Sequence, residues 1–416
     1  MRGIRRRDTP VLDLLRRVVS RPLLWWVIAA ALFVLDIARN LLPNSRPDAF
    51  SVVQAGARWL HDPAAIYADT AKHLHDTGFV PVIGLIRPPA VAMLGAPFSL
   101  LPGSWQVPAF TIADAVAAVA ALLLVQRFVT RTPLEAAVFW AIVFYSPPLF
   151  AEVNAGQIGG FVLLLACGAI VTYRERTILS GVLAGASAAL KFYPALVVIG
   201  ARARWRPFLA GAVAGGVVIT AVACIPLGLQ GTWRYVTDVL LPSLNAANPD
   251  CAQTSVSTLF GRSIGGDPYP ILNPDDSTSV LQSPLHLATL ASILTLVTIV
   301  VALAAAVLAA RASGWNPTYG MALGLGLGAI VPGEVNPYQY LPLLPLVLMV
   351  LVIAMRRGRW TRVALLAVGL LLWLRQPCQL PFPNLWTVAA LLLFAVCVAA
   401  ASDFREEAGA SSPSAP

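Results

Sequence analysis

Residues 23–42 read LLWWVIAAALFVLDIARNLL, and that run decides the fold. A stretch of about 20 apolar residues is long enough for an α-helix to cross the hydrocarbon core. It shows none of the period-two alternation of a barrel strand. Lipid admits only helices and closed barrels, because every backbone polar group must be paired internally. Arg2, Arg5, Arg6, Arg7, Arg16, Arg17 and Arg21 precede the run. Basic residues beside a span stay cytoplasmic, so the N-terminus is expected inside. No small-residue cleavage site follows, which favours a retained helix over a signal peptide.

The same pattern recurs along the chain. Of 416 residues 58% are hydrophobic and 12% charged, with a mean hydropathy of +0.74; soluble chains carry about 25% charged residues. The expected fold is an all-α polytopic membrane protein with about 10–12 transmembrane helices, extracytoplasmic loops and interfacial helices. The spanning runs are 23–42, 105–126, 135–150, 157–173, 207–227, 285–310, 318–332, 338–355, 363–377 and 385–401. Residues 177–201 have arginines at both ends (Arg174, Arg176; Arg202, Arg204, Arg206) and Pro194 near the middle. That combination predicts two short helices that dip in and return, or else one ordinary span.

Residues 1–22 are then a basic cytoplasmic segment and 23–401 one integral membrane domain. Its long outer loops are 43–104 and 228–284, and 402–416 form a disordered cytoplasmic tail. Both termini lie inside a plasma (inner) membrane crossed many times. The net charge of +9 gathers at the ends of spans, which argues for a bilayer as partner and against nucleic acid.

Within the first outer loop, 49–60 has one apolar face and predicts an interfacial helix, with Trp59 as a belt residue. Residues 86–101, broken by Pro88, Pro89 and Pro97, are read as lying in the outer interface or re-entering partway. Asp48, at the outer mouth of the first span, is the leading catalytic candidate as a general base; N-capping the helix that follows is its plain structural role. Lys191 ends an apolar run and needs an anionic partner, either a lipid phosphate or water reached by snorkelling. Arg87 is a second cation suited to the same phosphate. Glu152 and Gln157 bracket Asn154-Ala155-Gly156, and Asn336 and Tyr338 mark another polar junction; these side chains suit sugar hydroxyls or, equally, caps and turns. Asp36 and Arg39 stand at pairing distance on one helix. Asp114, mid-span, needs a buried partner such as a hydroxyl or Arg39.

Metal chemistry is not expected. There is no CxxC and no clustered Cys/His spacing, and His73 and His75 with Asp76 read as solvated loop residues. Cys251 and Cys378 fall in or beside outer segments where oxidation is chemically open, although spacing alone does not establish a bond. Gly324, Gly326 and Gly328 predict close helix packing rather than a nucleotide loop.

The order Asp48, then Gly56-Ala57-Arg58-Trp59-Leu60-His61-Asp62-Pro63…Tyr67, then Arg87-Pro88-Pro89, resembles glycosyltransferase family 87. So does Pro147-Pro148…Glu152…Gly156-Gln157, followed by Ser180-Gly181…Ala189-Leu190-Lys191-Phe192-Tyr193-Pro194. The resemblance is clear over 23–199 and weaker through Gln253-Thr254-Ser255 and 332–340. It implies a GT-C-like fold and a hexosyltransferase that takes its sugar, typically mannose, from a polyprenyl-phosphate donor on the outer face. The acceptor would be a lipid or glycan, and no cofactor or metal is implied. By resemblance Asp48 is the catalytic carboxylate and Lys191 lies near the donor phosphate; Arg87 as a second phosphate-binding cation, and Glu152, Gln157, Tyr193, Asn336 and Tyr338 as sugar or acceptor candidates, rest on the chemistry of the residues themselves. Three departures leave the sugar open. The His of a Ser-Pro-x-Ser-Trp-x-His-His pattern is absent from 332–338, Tyr-Pro-Pro is replaced by Arg87-Pro88-Pro89, and Asn-Gln-Ser by Gln253-Thr254-Ser255. A transporter or flippase of lipid-linked sugars is the rival reading; it predicts a second broken segment in the other half of the chain, where none is evident.

Overall fold

The computed structural model describes residues 21–40, 46–77, 86–245, 254–267, 269–272, 278–281, 283–331, 336–373 and 385–410. In chain order the helices are α1 Pro22–Asn40, α2 Pro47–His61, α3 Ala68–Thr77, α4 Pro89–Ser99, α5 Gly103–Val129, α6 Pro133–Tyr145, α7 Pro147–Ala155, α8 Gly159–Thr172 and α9 Thr177–Leu190. They continue with α10 Trp205–Cys224, α11 Gly228–Arg234, α12 Leu241–Asn245, α13 Val256–Phe260, α14 Ala288–Ala312, α15 Pro317–Leu327, α16 Leu344–Arg356, α17 Trp360–Leu372, α18 Leu385–Ala399 and α19 Ala401–Ala410. A short antiparallel hairpin in the second loop pairs Tyr269 with Leu281 and Leu272 with Thr278. Several helices open on proline (Pro47, Pro89, Pro133, Pro147, Pro317), whose fixed φ suits the first turn and whose missing N–H costs nothing there.

The protein is a polytopic membrane protein. Among the described residues four helical stretches are long and apolar enough to cross a bilayer: Gly103–Val129, Arg202–Cys224, Ala288–Ala312 and Pro337–Arg356. Counting the bent pairs α6–α7 (48°) and α18–α19 (41°) as single spans raises the number to six. The other runs expected to span fall mainly on shorter helices, so length alone does not reach the expected 10–12. Burial separates the spans. Pro337–Arg356 is 83% buried and forms the centre, whereas Arg202–Cys224 and Ala288–Ala312 are only 22% buried. Their outward faces carry Val213, Val217, Leu296 and Val300, which is affordable only against lipid.

Residues 177–204 form the dipping pair. Helix α9 runs away from Arg176, and the 3-10 segment Tyr193–Gly200 returns. The two ends meet where Tyr173 Oη donates to Ala201 O (2.7 Å) and accepts from Arg204 N (3.0 Å). Fourteen residues of α-helix reach about 21 Å, short of the roughly 30 Å core. Close packing seats α9: Gly181 and Gly185 face α10, whose Gly211 and Gly215 face back, and an added Cβ at any of them would meet backbone. This is small-residue packing of the kind membrane helices use. Ser180 and Ser187 donate to Ala169 O (2.6 Å) and Val162 O (2.9 Å), joining α9 to α8.

Two expectations are corrected. Residues 402–410, read as part of a disordered tail, belong to α19; its buried Phe404 stacks on Tyr319 at 4.1 Å, and Asp403 is paired with Arg362. Asp48 does not cap a helix that starts at Ala49. Pro47 starts α2 one residue earlier with Arg46 at the cap, and Asp48 lies in the first turn. The expected packing of Gly324 and Gly328 is present, against Leu196 and Tyr193. The Arg cluster before residue 21, the Asp36–Arg39 pair, Cys251, Cys378, 332–335 and 411–416 lie outside the described residues or side chains.

Candidate active site

The helices give the bundle two chemically different ends. Arg127, Arg131, Arg174, Arg176, Arg202, Arg204, Arg311, Arg356 and Arg362 stand at or beside the helix termini of one end. Asp48, Arg87, Glu152, Gln157, Lys191, Tyr193, Asn336 and Tyr338 stand at the termini of the other. All eight residues singled out from sequence therefore share one end.

Asp48 and Arg87 come together because α2 and α4 cross closely. Gly56 and Gly95 allow it: a Cβ at Gly56 would strike the Gly95 backbone, and one at Gly95 would strike Val52 O. Arg87 Nη2 donates to Asp48 Oδ1 (2.9 Å) and to Gln157 Oε1 (2.7 Å). The Asp48 side chain is 23% exposed and that of Arg87 14%, so the pair is sheltered but reachable. Both bonds use one nitrogen, leaving the rest of the guanidinium edge unengaged by the described residues. Burial acts to lower the proton affinity of Arg87, but the neighbouring Asp48 charge outweighs it, and the group is held in its cationic form above its ordinary value. Tyr67 Oη donates to Arg87 O (2.9 Å) and fixes the backbone. Burial first, then Tyr235, pushes the Tyr67 phenol well up, so it remains a donor.

Gly156, in the left-handed region (φ 66°), ends α7 and turns the chain so that Gln157 faces Arg87. Gln157 and Glu152 are fully buried. Glu152 Oε1 accepts from Gly159 N, and Asp114 Oδ1 accepts from Phe161 N at 3.1 Å. Two acids from α7 and α5 thus satisfy the opening N–H groups of α8. The expected hydroxyl or arginine partner of Asp114 is replaced by this backbone donor. Glu152 Oε2, Asp114 Oδ2 and Gln157 Nε2 are buried without a hydrogen-bond partner among the described residues. Shut away from the surface, Glu152 and Gln157 reach the site from behind Arg87 rather than lining it.

Lys191 sits at the tip of the dipping pair. Its Nζ lies 5.7 Å from the centre of the Tyr338 ring, a cation–π contact, and makes no ion pair with a described residue. Asp48, Arg87, Glu152 and Asp114 all act on it electrostatically. Asn336 Nδ2 donates to Tyr338 Oη (2.8 Å), and its backbone N donates to Gln339 Oε1 (2.6 Å), which fixes the ring beneath the ammonium. Tyr193 packs against Gly328 and supports this corner. His73 and His75 stand apart on α3, where His75 Nδ1 is 3.3 Å from Asp76 Oδ1.

The arrangement offers a partly exposed carboxylate, a bridging guanidinium with an open edge, and an ammonium without an ion-pair partner among the described residues. That set can take a proton and receive an anion side by side. Sequence reasoning missed Tyr67 as a site residue, though Tyr67 belongs to the quoted Asp62-Pro63…Tyr67 stretch. Residues 86–332, more than half of the chain, match the profile of glycosyltransferase family 87. No curated protein sequence matches the chain.

Proposed function

Because the chain belongs to glycosyltransferase family 87 and is a membrane glycosyltransferase, we propose that it moves a hexose, mannose by resemblance, from a polyprenyl-phosphate donor. The acceptor is a lipid or glycan hydroxyl at the extracytoplasmic face of the plasma membrane. The observation that carries this reading is the meeting of Asp48 with Arg87 near Lys191, which has no ion pair among the described residues.

In the reaction Asp48 accepts the acceptor O–H proton as that oxygen bonds to the anomeric carbon. The carbon–oxygen bond to the donor phosphate breaks, and its electron pair stays on the phosphate. Lys191 and the open edge of Arg87 stabilise that charge. A single base acting on the face opposite the leaving group inverts the anomeric centre. The leaving phosphate is already a stable anion, so no general acid is required. Charge supports the orientation: basic residues beside spans favour the cytoplasmic side, so the arginine-rich end is read as inside and Asp48 as outside.

The test is transfer by purified, detergent-solubilised protein given a labelled polyprenyl-phosphate mannose and extracted envelope glycolipids. A new glycolipid is expected, and Asp48→Asn should slow its formation by at least about 10². Full activity in a folded Asp48→Asn protein would overturn the reading. Translocation of the donor in vesicles without product would favour transport instead.

A further inference from the structure

The opposite end holds a cavity of about 210 Å³ that the transfer reaction does not use. Arg131, Arg174 and Arg356 line it, and Phe128, Met349 and Ile353 give it an apolar wall. A carboxylate already stands among the cations. Glu407 Oε1, on α19, lies 2.5 Å from Arg131 Nη2 and 2.6 Å from Arg356 Nη1. Arg356 is otherwise committed to Glu135 and to Val129 O (2.7 Å). Arg131 spends only Nη2 on Glu407, and the Arg174 guanidinium has no acceptor among the described residues.

We propose that this cavity is a binding site for the phosphate of an anionic amphiphile, and that Glu407 competes for it. The chemistry is a phosphate ester. Guanidinium forks match its oxygens, and basic pockets between membrane helices hold acidic head groups. The apolar wall receives the carbon next to the phosphate. At about 210 Å³ the space falls below the roughly 300 Å³ at which small-molecule pockets begin, so it fits a head group and not a whole lipid. Glu407, held by Arg131, Arg356 and, through Oε2 at 3.3 Å, Arg357, shows that this end accommodates an anion.

The experiment uses full-length protein in phosphatidylcholine nanodiscs, titrated with short-chain phosphatidylglycerol and, separately, with glycerol 3-phosphate. Binding is read by native mass spectrometry. The double variant Arg131→Gln/Arg174→Gln, altering two exposed side chains, should weaken binding about tenfold. Glu407→Gln should tighten it about threefold, because the competing carboxylate is gone. Preference for the lipid assigns the source as a bilayer head group; equal binding of glycerol 3-phosphate assigns a soluble phosphate ester. Binding of neither probe, or binding unchanged in the double variant, overturns the proposal. If Glu407→Gln lowers the melting temperature, the double variant alone decides.

Discussion

The two ends of the bundle use charge in opposite ways. At the basic end Arg356 is saturated: Nε and Nη2 hold the two Glu135 oxygens at 3.0 and 2.9 Å, and Nη1 holds Glu407. Arg357 and Arg362 are likewise paired with acids of α19. At the other end Arg87 shares one nitrogen between two acceptors, Lys191 has a ring where a carboxylate would be expected, and Glu152 Oε2, Asp114 Oδ2 and Gln157 Nε2 are buried without a hydrogen-bond partner among the described residues, as is Asp403 Oδ1 at the basic end. Buried polar groups are ordinarily satisfied. The network around Arg356 closes on itself and fastens helices, apart from the Arg131 and Arg174 edge that faces the cavity; the one around Arg87 is left open.

The largest effect expected from this contrast is at Asp48. Asp48→Asn should lower kcat by about 10²–10⁴ with the melting temperature almost unchanged, read by donor turnover in detergent. Arg87→Lys keeps the charge but loses the planar guanidinium whose open edge faces the proposed phosphate while Nη2 holds Asp48 and Gln157, and should cost about 10² in kcat/KM. Gly95→Val forces α2 away from α4 and so separates Asp48 from Arg87. Activity should fall by about 10² while circular dichroism still reports a helical protein. Glu135→Gln probes the closed end. It leaves Arg356 short of a partner and should destabilise the fold by about 3 kcal/mol, with turnover per folded molecule unchanged. Glu406→Gln removes an acid that is 62% exposed and should change stability by less than about 0.5 kcal/mol. A loss of turnover in Glu135→Gln at full folding would erase the distinction between the ends.

Much of this was legible in the residue order. The apolar runs lie within a few residues of the helices, because burial in lipid imposes one constraint on every position. The dipping pair was readable from Arg174 and Arg176 facing Arg202–Arg206 across only enough chain for two short helices. The α19 helix was not, since its partners Arg357 and Arg362 are some forty residues away and its own apolar contribution rests on Phe404. Asp114 was flagged by its cost at membrane depth, but its partner is a peptide N–H, which no side-chain pattern reveals. The Asp48–Arg87 pair depends on the crossing at Gly56 and Gly95, a contact between segments that sequence spacing does not specify.

Helices α8 and α9 each rise only about 21 Å from the basic end, whereas α5, with 27 residues, extends to about 40 Å. Gln157 and Lys191, at the far ends of the short pair, therefore stand nearer the basic end than the opening of α5 at Gly103 does. On the proposed reading, a donor tethered to a long hydrocarbon reaches them sideways, along the leaflet, without lifting its tail into water. Bilayer thickness then bears on access, since lipids of different length shift the head-group plane relative to Lys191.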